Sequence, residues 1–350
     1  ICLKSKWIGQ NFSSACNFVT RTQINAKNVS FKQFYYRFAT PIALIIMMNR
    51  RNIRIKVMQV MYMLDAQNVS TAAGLLQKEF DKTRNLFVYL VHLMHQIASY
   101  AEIEALQRAS KNLPNQADLA VNIKLAGNSI VWQTLESEKF KKAIEIVKPQ
   151  QWIDNDMVKS IFRQLVESPE YQVYILEESR DKAKESAILK FIFGELILNS
   201  TNTIETIESH FSNWDDDGEM IIGFMLNYFQ KPGSVDFIDL VGDEKMKFAT
   251  DLLETAIDKK TIAEDIIKPK LKNWDPERIA MIDMILLRLG VCELVYFDTI
   301  PTKVTINEYI DLAKEYSTEQ SGHFVNGILD SIHKELVANG KIQKISHKAK

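Results

Sequence analysis

One short segment of the sequence carries side chains suited to holding phosphate groups. It contains Arg50, Arg51, Arg54 and Lys56, and the next acidic residue along the chain is Asp65. A guanidinium group pairs with phosphate through two hydrogen bonds and can stack on an unpaired base. Because Arg50 and Arg54 are four residues apart on a helix whose apolar side chains turn inward, we expect them to project together, with Arg51 beside them. The segment predicts a nucleic-acid phosphate site, and a solvated helix end is the alternative.

Other residues of reactive type form no catalytic set. His92 and His95 lie one turn apart on a predicted helix, but no cysteine or carboxylate cluster nearby completes a metal site. Cys292 falls inside an apolar helix, so we expect a small buried hydrophobic residue there. The sequence has no Gly-Lys-Ser phosphate loop, no Gly-x-Gly-x-x-Gly and no Gly-x-Ser-x-Gly. We therefore expect no enzyme activity, no metal, no cofactor and no small-molecule substrate.

Residues 213–218 place oxygen-bearing side chains at alternate positions before a glycine, as a calcium loop does. The twelfth position of such a loop needs a bidentate acid, and here it is Phe224. Helix capping explains the acids better. We expect those at 215–217 to begin a helix near Glu219, and Asp275 to cap another helix.

The composition is that of a globular chain with enough apolar residues for about two domains: 350 residues, 46% of them hydrophobic. Only 12 Gly and 8 Pro argue against sandwiches, barrels and nucleotide-binding folds. The three cysteines form no disulfide framework, which favours a reducing compartment, and we expect a cytoplasmic protein. The apolar run at residues 42–48 is too short to span a bilayer, so no membrane segment is expected.

Charge is unevenly distributed along the chain. The total of 43 Lys and Arg against 44 Asp and Glu gives a net charge of −1, which at face value argues against a polyanion-binding protein. Residues 1–48, however, hold six basic and no acidic residues. We interpret this leader as a stretch upstream of the true start, with an organelle transit peptide as the alternative. Setting it aside leaves a body of net charge about −7.

From residue 49 onward the apolar spacing predicts helices and no strand, with Ile53, Val57, Met61 and Leu64 on one face of the first helix. Further helices are expected over residues 86–106, 140–147, 157–166, 182–198, 203–211, 219–229, 245–257, 261–271, 276–295, 306–315 and 322–337. The predicted fold class is all-α, a helical bundle.

Two stretches of the sequence echo each other. Asn213-Trp214-Asp215 and Asn273-Trp274-Asp275 lie sixty positions apart. In each copy a helix, a short polar break and a second helix precede the tripeptide, which opens a third helix. The pattern predicts a duplicated three-helix unit, each copy needing a neighbour to bury its apolar face.

The last third of the chain carries six short motifs in a fixed order. They are Pro276-Glu277-Arg278, Leu287-Arg288-Leu289, Cys292-Glu293-Leu294, Ile300-Pro301-Thr302-Lys303-Val304-Thr305-Ile306-Asn307-Glu308, Leu312-Ala313-Lys314 and Phe324-Val325-Asn326-Gly327-Ile328-Leu329-Asp330. In order and spacing, residues 246–333 resemble the NusB family of transcription antitermination factors. Arg50, Arg51, Arg54 and Tyr62 are similar to the arginine-rich first helix of that family.

The separation of the two matching regions differs from short members of the family. In those, the first helix precedes the bundle by a few tens of residues, whereas about 180 intervene here. Such an extended form is similar to the longer NusB proteins of Bacteroidetes-type bacteria. The sequence leaves open whether the arginine-rich helix packs on the bundle, and what residues 65–240 do.

The resemblance implies a non-enzymatic, all-helical RNA-binding protein. Members recognise the boxA element of ribosomal RNA leader transcripts together with NusE, a small-subunit ribosomal protein, and help RNA polymerase to resist termination. By position, the resemblance implies RNA contacts at Arg50, Arg51, Arg54, Lys56, Tyr62 and Arg288. It implies a NusE-facing surface that includes Phe324 and Asn326, although both also fit a structural role in the last helix.

Two other functions are compatible with parts of this sequence. A NusB-like domain also begins ribosomal RNA cytosine methyltransferases, but the sequence holds neither a Rossmann-type domain nor a glycine-rich adenosylmethionine loop. A non-enzymatic protein-interaction scaffold in transcription or ribosome assembly is the alternative that stays open.

Four regions are expected along the chain. They are a leader over residues 1–47, an N-terminal helical region over 48–240, a NusB-like bundle over 241–338 and a basic tail over 339–350. The tail would attract RNA nonspecifically or serve as a disordered, solubilising end.

Overall fold

The computed structural model describes residues 48–67, 72–271, 279–342 and 344. In these residues it contains fifteen α-helices and no β-strand, which confirms the all-α prediction. Within the same ranges no helix has the length and apolar character needed to cross a membrane. The leader, the second Asn-Trp-Asp tripeptide and the expected cap at Asp275 lie outside the described residues.

The helices are numbered in chain order. They are α1 (Arg50–Gln67), α2 (Ala72–Ala109), α3 (Gln116–Leu119), α4 (Ser129–Leu135), α5 (Glu138–Val147), α6 (Asn155–Glu167), α7 (Pro169–Leu176), α8 (Lys182–Phe191), α9 (Thr201–His210), α10 (Trp214–Gln230), α11 (Asp243–Asp258), α12 (Lys260–Ile267), α13 (Met281–Tyr296), α14 (Thr302–Tyr316) and α15 (Glu319–Ala338). A π-helical turn, Ile192–Leu198, continues α8.

The chain divides into two compact units. The first contains residues 48–80 and the described residues from 241 onward, and the second contains residues 81–240. Helices α1 and α11–α15 therefore belong to the first unit and α3–α10 to the second, while α2 contributes residues to both. The region expected over 48–240 is thus divided, because its first helix groups with the C-terminal bundle.

In the first unit, α14 packs against α13 and α15, and α1 packs against α11 and α13. This answers the question that the sequence left open, because the arginine-rich helix lies on the bundle helices despite the intervening residues. Close approach is possible at Gly290 of α13, where an added Cβ would lie 3.0 Å from the Leu329 side chain and 3.4 Å from the Tyr309 ring. A larger residue there would push α13 away from α14 and α15.

The second unit has an aromatic core. The Phe237 ring lies 5.7 Å from Phe87 and 4.9 Å from Phe140, measured between ring centroids, and it also contacts Tyr228. All four residues are almost fully buried. Large rings of this kind supply much of the buried apolar area that stabilises a unit of this size.

The start of α10 differs from the prediction. The helix begins at Trp214, five residues before Glu219, and the three aspartates lie inside its first turn. Asp217 does not cap the helix; it is buried and accepts hydrogen bonds of 2.7 Å from the Thr83 hydroxyl and from the Asn213 amide. Its carboxylate ties α10 to α2 within the second unit.

The order of helices agrees with the two echoing stretches of sequence. In the second unit, α8 and its π-helical turn are followed by the shorter α9 and then by α10, whereas in the first unit α11 is followed by the shorter α12 and then by α13. The duplication itself stays a prediction.

The two histidines of α2 each form a hydrogen bond with another side chain. The Nε2 atom of His95 lies 3.1 Å from the Tyr228 hydroxyl, and that of His92 lies 2.8 Å from Oε1 of Gln150. Among the residues that the structure describes, no group of three or more His, Cys, Asp or Glu side chains is arranged to bind a metal ion. Burial lowers the pKa of His95 to about 3, so its ring is neutral in the folded protein.

This burial predicts a loss of stability on mild acidification. The unfolded chain takes up a proton at His95 below its ordinary pKa of about 6.5, but the folded chain does so only near pH 3. The stabilising contribution of neutral His95 is therefore fully present above about pH 6.5 and is lost as the pH falls. Between pH 7 and pH 5 this effect lowers the free energy of unfolding by about 2 kcal/mol. Urea unfolding followed by tryptophan fluorescence measures this, because three of the five tryptophans lie in the second unit. The fall should be about 2 kcal/mol smaller in His95→Gln, and an equal fall in both chains would contradict the assignment.

Candidate nucleic-acid interface

The first turn of α1 combines a helix N-terminus with two arginines. The side chain of Asn49 accepts a hydrogen bond of 2.8 Å from the backbone N–H of Asn52, which fixes the start of the helix at Arg50. Arg50 and Arg51 follow at once, where the helix dipole disfavours positive charge by about 0.3–1 kcal/mol for each group. Their placement opposes the local helix preference and puts two guanidinium groups beside the free N–H groups of the helix end.

We call Arg50 and Arg51 the first-turn arginines. Their side chains are 42% and 33% exposed. The guanidinium of Arg50 lies 5.6 Å from the centroid of the buried Phe248 ring, which supports its position. Arg50 pairs with Glu244 at 2.9 Å and Arg51 pairs with Glu315 at 2.7 Å. Both groups reach solvent from a helix that is otherwise packed into the unit.

Arg54 projects beside Arg50, since its guanidinium lies 5.5 Å from the centroid of the same Phe248 ring, but Arg54 is buried and does not reach solvent. Its side chain is 3% exposed and donates hydrogen bonds of 2.9 and 2.7 Å to the two oxygens of Glu293 on α13. Glu293 also accepts from the hydroxyls of Thr305 at 2.8 Å and Tyr309 at 3.1 Å. The carboxylate thus receives four hydrogen bonds from these three residues, which compensates its loss of hydration.

The pair with Glu293 keeps Arg54 charged. Burial alone would lower the pKa of the Arg54 guanidinium, but the hydrogen bonds and negative charge of Glu293 outweigh burial and raise it. The same surroundings raise the pKa of the Tyr309 hydroxyl, by burial first and by the charge of Glu293 second. The Arg54–Glu293 pair therefore joins α1 to α13, and the hydroxyls of Thr305 and Tyr309 join the same carboxylate to α14.

The other residues expected to contact RNA lie deeper than the first-turn arginines. Lys56 is fully buried and Tyr62 is half-buried. Arg288 is 5% exposed and pairs at 2.8 Å with Asp65, near the end of α1. Asp65 also pairs with Lys260 at 3.2 Å. Ion pairs therefore hold both ends of α1 against the other helices of the first unit: Arg54 pairs near its start, and Asp65 pairs near its end.

One lysine of the expected basic tail takes part in the fold. The ammonium of Lys344 donates to the backbone carbonyls of Glu293 at 3.0 Å and Phe297 at 2.7 Å, at the C-terminal end of α13. Positive charge is favourable at that end of a helix. Burial lowers the pKa of Lys344. The ammonium group of Lys344 thus binds backbone carbonyls of the same chain.

The residues expected to face NusE lie on α15 and differ in exposure. Phe324 is 7% exposed, as its core-like spacing allows, and Asn326 is exposed. Phe324 forms part of the wall of an open groove of about 550 Å³. The remaining lining residues are Lys270, Gln320, His323, Gly327, Ile328 and Ser331. The groove presents apolar and hydrogen-bonding groups side by side.

Cys292 is buried in α13, as its apolar surroundings predict. Burial raises the pKa of its thiol to about 12, so the reactive thiolate is scarcely populated near neutral pH.

Sequence reasoning missed the acids that meet the arginines. Glu244, Glu293, Glu308 and Glu315 come from α11, α13 and α14, far along the chain from Arg50. Of these, Glu293 and Glu308 belong to motifs that carried the family resemblance, which was the available signal. The absence of acids near Arg50 in sequence did not mean an absence of acids in space.

Comparison with known proteins identifies the family to which the chain belongs. The NusB family profile matches residues 202–334, from α9 to α15, which begins earlier than the expected residue 246. A transcription antitermination protein NusB from Methylacidiphilum infernorum is 41% identical over 126 residues, covering 87% of that protein and 33% of this chain. The chain belongs to the NusB family.

Other NusB relatives match a similar share of the chain. The transcription antitermination protein NusB of Listeria monocytogenes is 39% identical over 97 residues, which is 76% of that protein and 28% of this chain. The NusB protein of Chloroherpeton thalassium is 39% identical over 107 residues, 30% of this chain, and the match spans only about half (51%) of its own length. No solved structure matches the chain.

Proposed function

We propose that this NusB-family chain is a non-enzymatic transcription antitermination factor that binds boxA-type single-stranded RNA in ribosomal RNA leader transcripts. The observation that carries the proposal is the pair of exposed guanidinium groups at the N-terminus of α1. Family membership supports the same role, since the relatives are named transcription antitermination proteins. Such a role would be performed in the cytoplasm, where transcripts are made.

The proposed contacts are divided between two sets of residues. The first-turn arginines contact RNA phosphates and bases directly, because they alone among the arginines of α1 reach solvent. Arg54 and Arg288 act through α1, which they hold on the bundle, and the buried Lys56 belongs with them. Tyr62 is half-buried and stays a candidate for contact at the edge of the interface.

The proposed protein partner is NusE, the small-subunit ribosomal protein, within an antitermination complex on RNA polymerase. The groove on α15 beside Phe324 and the exposed Asn326 are the surface we assign to it. Apolar side chains next to exposed polar groups are typical of such interfaces.

The test is RNA binding by the intact chain. A short boxA RNA and a scrambled RNA of the same composition are titrated with and without purified NusE. We expect boxA to bind more tightly than the scrambled RNA, and NusE to increase that preference. Equal binding of the two RNAs with NusE present, or no binding of boxA, would overturn the proposed function.

A protein-interaction scaffold is the second candidate, and one observation favours it. The second unit exposes several large apolar side chains, among them Leu113 at 92%, Leu176 at 81% and Leu106 at 71%. Side chains of this kind would mark a contact with another protein where they form one contiguous patch. If boxA fails to bind while NusE or RNA polymerase binds the chain directly, the scaffold is the better description.

A further inference from the structure

Three carboxylates lie near the first-turn arginines. Glu244 of α11 pairs with Arg50 at 2.9 Å, and Glu315 of α14 pairs with Arg51 at 2.7 Å. Glu308 lies 3.8 Å from Arg51 and 3.5 Å from Arg54. Three carboxylates thus face the guanidinium groups that we assign to RNA, in addition to the buried Glu293.

These acids cancel the positive charge of the interface. Arg54 is already neutralised by Glu293, which leaves two exposed positive charges against Glu244, Glu308 and Glu315. Within this group of side chains, three carboxylates face two guanidinium groups, so the group itself attracts an approaching phosphate only weakly at long range.

Packing does not explain two of these acids. The side chain of Glu244 is 82% exposed and that of Glu315 is 39% exposed, whereas Glu293 is fully buried. An exposed ion pair adds little to stability, because water competes for both groups. A carboxylate on a guanidinium presents the same pair of anionic oxygens that a phosphate would present.

We propose that Glu244 and Glu315 are built-in competitors for RNA phosphate at the first-turn arginines. RNA must displace both carboxylates to bind. An RNA that offers only phosphate contacts therefore gains little net binding free energy, because each new ion pair replaces an existing one. An RNA that also makes base contacts has enough additional affinity to displace them. The inference rests on the proposed function and adds a regulatory element to the same site.

The test compares the RNA affinities of variants in which acidic side chains are replaced by the corresponding amides. Glu244→Gln combined with Glu315→Gln is expected to tighten binding of both boxA and scrambled RNA by about 3- to 10-fold at fixed salt. The matched control is Glu254→Gln combined with Asp258→Asn, which removes two exposed charges from the far end of α11. Those positions lie about 15 Å or more along the helix from Glu244, beyond the screening length at physiological salt.

The outcomes separate the two proposals. Weaker binding by the Glu244→Gln, Glu315→Gln chain would mean that the acids hold the arginines in place for RNA, and it would overturn the competition. Tightening no greater than in the control chain would overturn it as well. If wild-type binding is absent, or does not depend on Arg50 and Arg51, the proposed function itself fails.

Discussion

Replacing Arg54 with alanine is expected to lower the free energy of unfolding of the first unit by about 3–5 kcal/mol. The substitution leaves the fully buried Glu293 carboxylate without its guanidinium partner, and the hydroxyls of Thr305 and Tyr309 cannot balance a full charge. It also removes the stacking of Arg54 on the Phe248 ring, 5.5 Å away. Urea unfolding at neutral pH measures the loss.

The control for this substitution is Arg51→Ala. Arg51 is on the same helix but half-exposed, so the loss of its ion pairs should cost less than about 1 kcal/mol. Replacing both members of the buried pair, as in Arg54→Met with Glu293→Leu, should cost less than Arg54→Ala, because no uncompensated charge is left. An Arg54→Ala chain as stable as Arg51→Ala would contradict the buried pair.

Removing both first-turn arginines is expected to weaken boxA binding by about 10- to 100-fold. Each guanidinium contact with phosphate is a charge-assisted hydrogen bond, and part of its worth is offset by the exposed Glu244 and Glu315 pairs that form in the free protein. Arg50→Ala with Arg51→Ala should leave the unfolding free energy within about 1 kcal/mol of the wild type. Fluorescence anisotropy of a labelled RNA measures the affinity.

A charge-matched control accompanies that variant. Lys268→Ala with Lys334→Ala removes two exposed positive charges from the same unit, 62% and 73% exposed. Binding should change by less than about two-fold in that chain. Equal losses in the two variants would mean that net charge alone drives RNA binding, and not the first turn of α1.

The all-α fold class and the approximate positions of the helices could be predicted from apolar spacing, because that spacing is a property of each segment by itself. The predicted segments over 306–315 and 322–337 fall inside α14 and α15, which begin a few residues earlier at Thr302 and Glu319. The starts of these helices were missed because their first turns are polar and show no apolar spacing. At the start of α15, the hydroxyl of Thr318 accepts a hydrogen bond from the backbone N–H of Ser321 and caps the helix. Short helices such as α4 and α7, of seven and eight residues, were missed for another reason: two turns are too few to show a periodic apolar pattern.

The environment of α1 could not be predicted in this way. Ile53, Val57 and Met61 mark one buried face correctly, but Arg54 and Lys56 between them are buried as well. Periodicity assigns charged residues to solvent, and burial of a charge depends on a partner that is distant in sequence. That partner is Glu293, 239 positions away. Apolar spacing therefore placed these charged residues on one helix, but the burial of Arg54 and Lys56 could be learned only from the fold.

The proposed function depends most on direct phosphate contact by the first-turn arginines. The salt dependence of RNA binding is the most direct test of that contact. For single-stranded RNA, each phosphate contact contributes about 0.7 to the slope of log affinity against log salt concentration. We predict that Arg50→Ala with Arg51→Ala makes this slope shallower by about 1.4, with the control Lys268→Ala and Lys334→Ala unchanged. A weaker binding constant with an unaltered slope would show that the arginines do not contact phosphate, and it would contradict the central claim.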